Sequence, residues 1–241
     1  MKKEPVGPKT PRPLILNGEK KELPAWDQAH ADSFAVIADE VFAPIYPYLV
    51  QDIRNALGRG LHGLRVLEIG GGVGNMALEL LKAGIATLDA LDVSPEMLEK
   101  TRRRLEAFPE FLSKFSAHHG EAGHLPFEAG RFDVAFSRGS MQFWPDIPAA
   151  LGEIRRVLQP NGLAFIGAGY GLSTPESLKQ AVSAERARRT DGRTKAKPIP
   201  HLNHEEILAS ARNLGGQATL VKDGSGFWFQ WFPGKKSVPS F

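Results

Sequence analysis

The sequence predicts an α/β fold, in which a mostly parallel sheet of seven strands carries helices on both faces and ends in an antiparallel hairpin. Two observations predict this fold class. From residue 64 onward, short apolar strands alternate with helical segments, and such crossover connections give parallel strands. The C-terminal turn "DGSG" is too short for a crossover, so the strands on either side of it are expected to be antiparallel.

Strands and helices are predicted in a definite order. The seven strands are LRVLEI, ATLDALDV, SKFSAHH, RFDVAFS, LAFIGAG, QATLVKD and GFWFQWF. The helix NMALELLKAG follows the first strand, and Ser94 caps the next helix, which has Pro95 at its first position. Further helices are predicted over 146–158 and 174–189, and at HEEILASARNLG, which Asn203 caps.

The chain divides into regions by composition. Residues 1–22 mix proline with basic residues without periodicity, which predicts a flexible basic tail. Residues 23–60 carry apolar residues at helical spacing, interrupted by the prolines of "FAPIYPYL", and predict an N-terminal helical cap. Residues 61–241 are the main domain, within which 171–203 is long for a connection and predicts a lid-like insertion.

Composition excludes several classes of protein. The chain has 241 residues, 42% hydrophobic and 24% charged, as in soluble globular proteins. No uninterrupted apolar run approaches the roughly 20 residues that span a bilayer, and no signal peptide is recognisable, so a cytoplasmic protein without a membrane partner is expected. The absence of cysteine excludes disulfides, thiolate metal sites and thiol nucleophiles.

The charge is concentrated in one segment. The whole chain has a formal net charge of +3, whereas residues 186–197 alone carry six basic residues against one acid. A nucleic-acid-binding protein is usually basic over a whole face, so nucleic acid is not the expected partner. The segment is interpreted either as part of the lid or as a solvated loop.

The stretch "RVLEIGGGVGNMALELL" joins a strand to a helix through a glycine-rich turn, an arrangement that receives nucleotide-like ligands. Gly72, Gly74 and Ala77 fit the looser form of the dinucleotide fingerprint, so an NAD-linked oxidoreductase stays an alternative. However, Glu68 stands at the end of the strand, where its charge would repel a pyrophosphate and suit a cationic ligand. S-adenosylmethionine carries an ammonium and a sulfonium and no phosphate.

Two acids therefore organise the expected ligand site. Asp92 ends the second strand, where an acid can accept hydrogen bonds from both ribose hydroxyls. The alternatives are that Glu68 only accepts backbone hydrogen bonds in the turn and that Asp92 only caps a helix, although Ser94 already fills that role.

With these motifs in place, the chain resembles the class I S-adenosylmethionine-dependent methyltransferases, of the small-molecule, type-11-like kind. "VLEIGGGVG", "LDVSPEML" and "GEAGHLPF" resemble the first three motifs of the family, and "RFDVAFS" and "EIRRVLQPNGLAFI" resemble the fourth and fifth. The resemblance covers about residues 64–169 and implies a Rossmann-like fold with S-adenosyl-L-methionine as cofactor. "SRGSMQFW" and "VFAPIYPYL" resemble a narrower bacterial and archaeal subgroup.

The resemblance also implies roles for individual residues. Asp92 would contact the ribose, Met97 the adenine, Glu121 the adenine amino group, and the backbone of Ala122 the ring. The full set of cofactor-binding residues implied is Glu68, Gly70, Gly71, Gly72, Gly74, Asn75, Asp92, Val93, Met97, Gly120, Glu121, Ala122 and Ser137.

The acceptor is expected outside the cofactor, above the strand ends. Its candidate walls are Tyr46, Arg138, Met141, Trp144 and Tyr170. Arg138 could clamp a carboxylate or phosphate, or form a structural ion pair instead. Core packing is the alternative for Trp144. Base-carbon methylation usually needs a cysteine, so a small-molecule acceptor, with an anion among the candidates, is expected.

Catalysis of methyl transfer by in-line displacement requires mainly alignment and water exclusion, and a base only if the acceptor must lose a proton. The candidate bases are His119, His124 and His201. His201 and His204 also form an H-x-x-H pair, but without further ligands no metal site is expected. A catalytically idle relative that binds S-adenosylmethionine for regulation or assembly remains the alternative function.

Overall fold

A computed structural model of the protein describes residues 14–16, 19–21, 26–190 and 203–235. Strands β1 (Leu14–Leu16) and β2 (Glu19–Lys21) form a short antiparallel pair. This pair lies in the segment for which the sequence predicts a flexible tail.

The remaining strands form a single seven-stranded sheet. They are β3 (Arg65–Ile69), β4 (Thr87–Asp92), β5 (Phe115–His119), β6 (Phe132–Arg138), β7 (Leu158–Ala168), β8 (Gln217–Lys222) and β9 (Phe227–Phe232). Their order is β5-β4-β3-β6-β7-β9-β8, in which the first five are parallel and β9 is antiparallel to both of its neighbours. The predicted fold class is confirmed.

The order of the strands places a crevice at the centre of the sheet. The chain moves from β3 outward through β4 to β5, and then returns to the other side of β3 with β6. Glu68 of β3 pairs with Ala90 of β4 on one side and with Phe136 of β6 on the other. Ligands in open α/β sheets bind at such a reversal, beyond the carboxyl ends of the strands.

Helices cover both faces of the sheet. They are α1 (Gln28–Ile37), α2 (Tyr46–Leu57), α3 (Asn75–Lys82), α4 (Pro95–Glu106), α5 (Pro109–Leu112), α6 (Ile147–Val157), α7 (Glu176–Thr190) and α8 (His204–Leu214). The predicted caps form: the Ser94 hydroxyl accepts a hydrogen bond from Met97 N at 3.2 Å, and the Asn203 side chain accepts from Glu205 N and Glu206 N. These caps satisfy donors that the first turn of a helix leaves unpaired.

The N-terminal cap is interrupted where the sequence predicts. After α1 the chain forms a π-helical turn, Ala38–Phe42, and a 3-10 turn, Ala43–Ile45, before α2 begins. Pro44 lies in the 3-10 turn and has no backbone N–H to continue a regular helix. Residues 28–57 together are long and apolar enough to cross a membrane by length and composition, yet side chains such as Ile45 and Leu49 are buried against the sheet.

The core consists of two layers separated by the sheet. The alternation of side chains along β9 shows this, because Trp228 packs in the layer with α2 and α3, whereas Phe229 and Trp231 pack in the layer with α6 and α8. The Trp228 ring stacks on Phe165 of β7 at 4.9 Å between ring centroids. The C-terminal hairpin is therefore an integral part of both layers.

Three local features differ from the prediction. Strand β7 begins at Leu158, so the "QPNG" stretch belongs to the strand and produces an irregularity in its register with β6. The short helix α5 and a 3-10 turn at Met141–Phe143 have too few residues to give a periodic signal.

Candidate active site

A cavity of about 470 Å³ opens at the carboxyl ends of the parallel strands. Its floor comes from the loops that follow β3, β4, β5, β6 and β7, and its cover comes from the N-terminal cap and α7. This is the position that the reversal in strand order specifies.

The glycine turn after β3 approaches the cavity with its backbone. Gly70, Gly72 and Gly74 have φ values of 72°, 59° and 83°, a left-handed conformation that other residues rarely adopt. A Cβ atom on Gly70 would overlap Ser140, and one on Gly74 would lie 2.8 Å from Thr101 Cγ2. Gly74 therefore packs against α4 and does not line the cavity.

Glu68 is a buried acid at the end of β3. Its side chain lines the cavity but is only 3% exposed, and its Oε2 atom accepts no hydrogen bond from the residues that the structure describes. Burial, with a contribution from nearby Asp92, raises the pKa of Glu68 to about 8. No N–H of the turn among the described residues reaches Oε2, a bond that the alternative role of Glu68 in the turn would favour.

Asp92 is also buried but partly satisfied. Its Oδ2 accepts a 3.0 Å hydrogen bond from Gly72 N, and its Oδ1 accepts a 2.9 Å bond from Ser94 N. Burial raises the pKa of Asp92, and these backbone donors offset part of that rise. The carboxylate thus fixes the glycine turn to the end of β4 while still facing the cavity.

Most of the residues predicted to bind the cofactor are brought together. The cavity is lined by Glu68, Gly70, Gly71, Gly72, Asn75, Asp92, Val93, Met97, Gly120, Glu121 and Ala122. Besides Gly74, the exception is Ser137, which is fully buried and whose Oγ lies 2.6 Å from Ser140 Oγ.

The segment "SRGSMQFW" forms the wall after β6, organised around Ser140. Its hydroxyl donates to the carbonyl of Ile69 at 3.1 Å and accepts from the indole nitrogen of Trp144 at 3.1 Å. Trp144 lines the cavity, whereas Met141 is 1% exposed and packs into the core below it. Met141 is therefore not a wall, contrary to prediction, because the 3-10 turn directs it inward.

Arg138 lies in the cavity without a carboxylate partner among the described residues. Its Nε donates a 2.9 Å hydrogen bond to the carbonyl of Gly169, and its guanidinium carbon lies 4.6 Å from the ring centroid of Phe42 and 5.8 Å from that of Tyr46. Burial lowers the pKa of Arg138, since the charged form is desolvated. The predicted alternative of a structural ion pair does not occur among the described residues.

The loop after β7 presents Tyr170 to the cavity and is fixed by two buried acids that sequence reasoning missed. Asp52 of α2 accepts from Leu172 N at 2.6 Å and Ser173 N at 2.7 Å. Asp223 of the β8–β9 turn accepts from Gly171 N at 2.8 Å. The wall beside Arg138 is thus tied to both the N-terminal cap and the C-terminal hairpin.

The N-terminal cap covers the cavity with aromatic side chains that were not predicted. Trp26, His30 and Phe34 line it, and the Trp26 ring meets Phe143 edge-on at 5.0 Å between centroids. Phe34 lies 3.1 Å from the place a Cβ on Gly72 would take. In the sequence, the signal that could have predicted this cover was the aromatic character of one face of a segment predicted to be helical.

The predicted histidine bases are not assembled. His119 lies on the exposed edge strand with its Nε2 3.1 Å from the Val93 carbonyl, and His124 is exposed on a turn; neither lines the cavity. His201 lies outside the described residues. No cluster of three or more metal-ligating side chains occurs among the residues that the structure describes.

The predicted lid begins as a helix. Arg186 of α7 lines the cavity, while Arg188 pairs with Glu185 and points to solvent. Arg189 pairs with Glu40 of the π-helical turn. The basic residues beyond Thr190 lie outside the described part of the chain.

Sequence comparison assigns this arrangement to a family. Residues 67–166 match the family described as a methyltransferase domain, and this region contains β3 to β7 with the glycine turn, Glu68 and Asp92. Residues 67–166 therefore form a methyltransferase domain, and the chain as a whole is similar to class I S-adenosylmethionine-dependent methyltransferases. Its cofactor is S-adenosyl-L-methionine.

The chain is also similar to individual proteins and solved structures. A crystal structure of a candidate S-adenosyl-L-methionine-dependent methyltransferase from Methanococcus maripaludis is 26% identical, with a TM-score of 0.77 over 93% of this chain and 100% of that one. An uncharacterised protein of Mycobacterium tuberculosis is 37% identical over 63% of this chain and 55% of its own length. A 2-methyl-6-phytyl-1,4-hydroquinone methyltransferase of Oryza sativa is 36% identical over 44% of this chain and 31% of its own. The chain thus spans about half the length of the mycobacterial relative that it matches.

The cavity fits the cofactor by its own chemistry. The unpartnered Oε2 of Glu68 is a buried acceptor that requires a positively charged or hydrogen-bonding group, and the amino group of S-adenosylmethionine provides one. The left-handed Gly70 and Gly72 present the backbone of the turn, without a side chain, to the cavity. A pyrophosphate would instead face the two acids of the cavity, Glu68 and Asp92, at close range.

Proposed function

We propose that this methyltransferase transfers a methyl group to a small anionic acceptor by in-line displacement. The observation that carries the proposal is the guanidinium of Arg138, which lies in the cavity without a carboxylate partner among the described residues. A half-buried, partly desolvated arginine without a counter-ion is costly, and an anionic ligand would offset that cost.

The cofactor would occupy the half of the cavity at the ends of β3, β4 and β5. Glu68 would bind its amino group, Asp92 its ribose, and Met97, Glu121 and Ala122 its adenine. When bound, S-adenosylmethionine supplies an electrophilic methyl group on a sulfonium. The protein's part is to hold the acceptor in line with that methyl and to exclude water under the N-terminal cap.

The acceptor would occupy the other half, between the wall after β6 and the loop after β7. Tyr46, Arg138, Trp144 and Tyr170 line that half and combine aromatic surface with positive charge. The rice relative is named for a hydroquinone, which is a small molecule, and this supports a small-molecule acceptor here.

The test is turnover against a panel of small metabolites, with S-adenosylhomocysteine formation as the readout. Acidic metabolites should give turnover, and Arg138→Gln should reduce it while the affinity for S-adenosylhomocysteine holds. Calorimetry should show micromolar binding of S-adenosylhomocysteine, about −8 kcal/mol, and no binding of NAD. A protein that binds S-adenosylhomocysteine but turns over no metabolite would instead be an idle binding protein.

A further inference from the structure

The acceptor half of the cavity holds two arginines and few groups that could act as a base. Arg138 and Arg186 both line it, and their charges are close enough to disfavour one another. The phenol groups of Tyr46 and Tyr170 are the other ionisable groups beside Arg138 that line the cavity, and burial raises the pKa of Tyr46. A phenol with a raised pKa, such as that of Tyr46, is not suited to remove a proton near neutral pH.

The carboxylates that line the described cavity lie elsewhere. Glu68, Asp92 and Glu121 follow β3, β4 and β5, on the cofactor side, whereas Arg138 follows β6. Asp223 lies near Arg138, but hydrogen bonds from Gly171, Ser225, Gly226 and Trp228 occupy its carboxylate. His30, the imidazole that lines the described cavity, packs against Trp26 under the cap.

An acceptor that arrives already ionised needs no base. We propose that the acceptor is a carboxylic acid and that the product is its methyl ester, an inference that rests on the proposed function. One carboxylate oxygen forms a bond to the methyl carbon while the carbon–sulfur bond breaks, and the electron pair of that bond stays on sulfur. The negative carboxylate and the positive sulfonium become a neutral ester and a neutral thioether, and no proton is released.

The geometry of Arg138 fits this reaction. Its Nε is held by the Gly169 carbonyl, so the terminal nitrogens of its guanidinium are left to bind one oxygen of the carboxylate. The second oxygen then remains available to attack. The carboxylate pairs with Arg138 and Arg186, whereas the ester carries no negative charge. Loss of this pairing favours release of the product.

The experiment uses S-adenosylmethionine with a labelled methyl group and the low-molecular-weight fraction of a bacterial extract as the acceptor pool. Products are treated with mild alkali, which hydrolyses methyl esters and releases labelled methanol, whereas methyl groups on nitrogen, sulfur, carbon or ether oxygen remain. When the protein is present, the product label in excess of the protein-free background should be released by alkali mostly as methanol. Arg138→Gln and Arg186→Gln should each lower this alkali-labile label about tenfold or more, the loss expected for a charge-assisted contact.

The outcomes separate the two proposals. Arg186 is on the exposed side of α7, so its variant remains informative if Arg138→Gln fails to fold. Arg188→Gln, on the same helix but outside the cavity lining, is the matched control and should retain the label. Label that resists alkali would confirm methyl transfer and overturn the carboxylate acceptor. If the protein binds S-adenosylhomocysteine but the labelling of products does not exceed the protein-free background, the proposed function itself is overturned.

Discussion

The Nε of Arg138 donates its hydrogen bond to the carbonyl oxygen of Gly169, two residues before Gly171, whose N–H binds Asp223. The same Asp223 carboxylate accepts from Ser225, Gly226 and Trp228. The orientation of the cationic group in the cavity therefore depends on a buried acid in the C-terminal hairpin. This dependence assigns the hairpin a role in the site as well as in the core.

Replacing Asp223 by alanine should lower the free energy of unfolding by at least about 3 kcal/mol, because several hydrogen bonds to one buried charge are lost together. The environment of the Trp228 indole should change with it, which tryptophan fluorescence and urea denaturation would report. Lys222→Gln, at the exposed preceding residue, is the control. Equal stability of the alanine and control variants would show that the Asp223 network does not hold the loop.

The contribution of Asp223 should also depend on pH. Burial raises the pKa of Asp223, but its hydrogen bonds, led by that from Trp228, lower it below the ordinary value overall. A group with a depressed pKa in the folded state stabilises the fold above its unfolded pKa and loses this effect as pH falls through the folded value. As pH falls below 3.8, the free energy of unfolding of wild type should therefore decrease through Asp223, and Asp223→Ala should lack this decrease.

The opposite sign is expected at Glu68. Its pKa rises from an ordinary value of 4.5 to about 8, so the folded protein without ligand retains a proton that the unfolded chain has lost. The free energy of unfolding should fall as pH rises between these values. Glu68→Gln should remove this dependence and be more stable than wild type at pH 8.5, as measured by urea denaturation without cofactor.

The same Glu68→Gln variant should bind S-adenosylhomocysteine more weakly, because the neutral amide can accept a hydrogen bond from the ligand's ammonium but cannot form an ion pair with it. Glu79→Gln, at the Lys82 ion pair on α3, is the control and should change neither property. If the free energy of unfolding of Glu68→Gln fell with rising pH as steeply as that of wild type, Glu68 would not be the group that carries the proton.

Asp92→Ala should weaken binding of S-adenosylhomocysteine by about 1.5–3 kcal/mol, the range for hydrogen bonds to a charged group. Asp92→Asn should lose less, since its amide oxygen can still accept one hydrogen bond. Calorimetry measures both. Because Asp92 also holds Gly72 N and Ser94 N, circular dichroism must first show that each variant is folded. An unchanged dissociation constant in a folded Asp92→Ala protein would remove Asp92 from the site.

The parts of the fold and site that the sequence predicts are those with a local signal. Alternating strands and helices, the Ser94 cap and the hairpin turn are each readable within a few neighbouring residues, and together they specify the sheet. Glu68 and Asp92 were predictable because parallel strands bring their carboxyl ends to one edge. The position of a residue at the end of a parallel strand therefore predicts, from the sequence alone, that it lies at the shared cavity.

Other features have no local signal. Asp52 binds Leu172 N across 120 residues of sequence, and nothing around Asp52 distinguishes it from a solvated acid on a helix. Met141 and Trp144 lie on the same predicted loop, but the 3-10 turn sends one into the core and leaves the other on the cavity wall. Such differences depend on local geometry that residue type does not determine.

The basic segment of α7 provides the final prediction, in which Arg186 rather than its neighbours acts on the acceptor. Arg186 is exposed and lines the cavity, whereas Arg188 and Arg189 do not line it. An exposed charge acts on an anion through solvent, where salt screens it over about 10 Å at 0.1 M and about 3 Å at 1 M.

Methyl transfer to an acidic acceptor should therefore slow as salt rises. Arg186→Gln should slow it at low salt and flatten the salt dependence, with the affinity for S-adenosylhomocysteine unchanged. Arg188→Gln should behave as wild type in both measurements, because its partner is Glu185 on its own helix. If the two variants show the same salt dependence as wild type, the charge of α7 serves solubility and the acceptor is recognised by Arg138 alone.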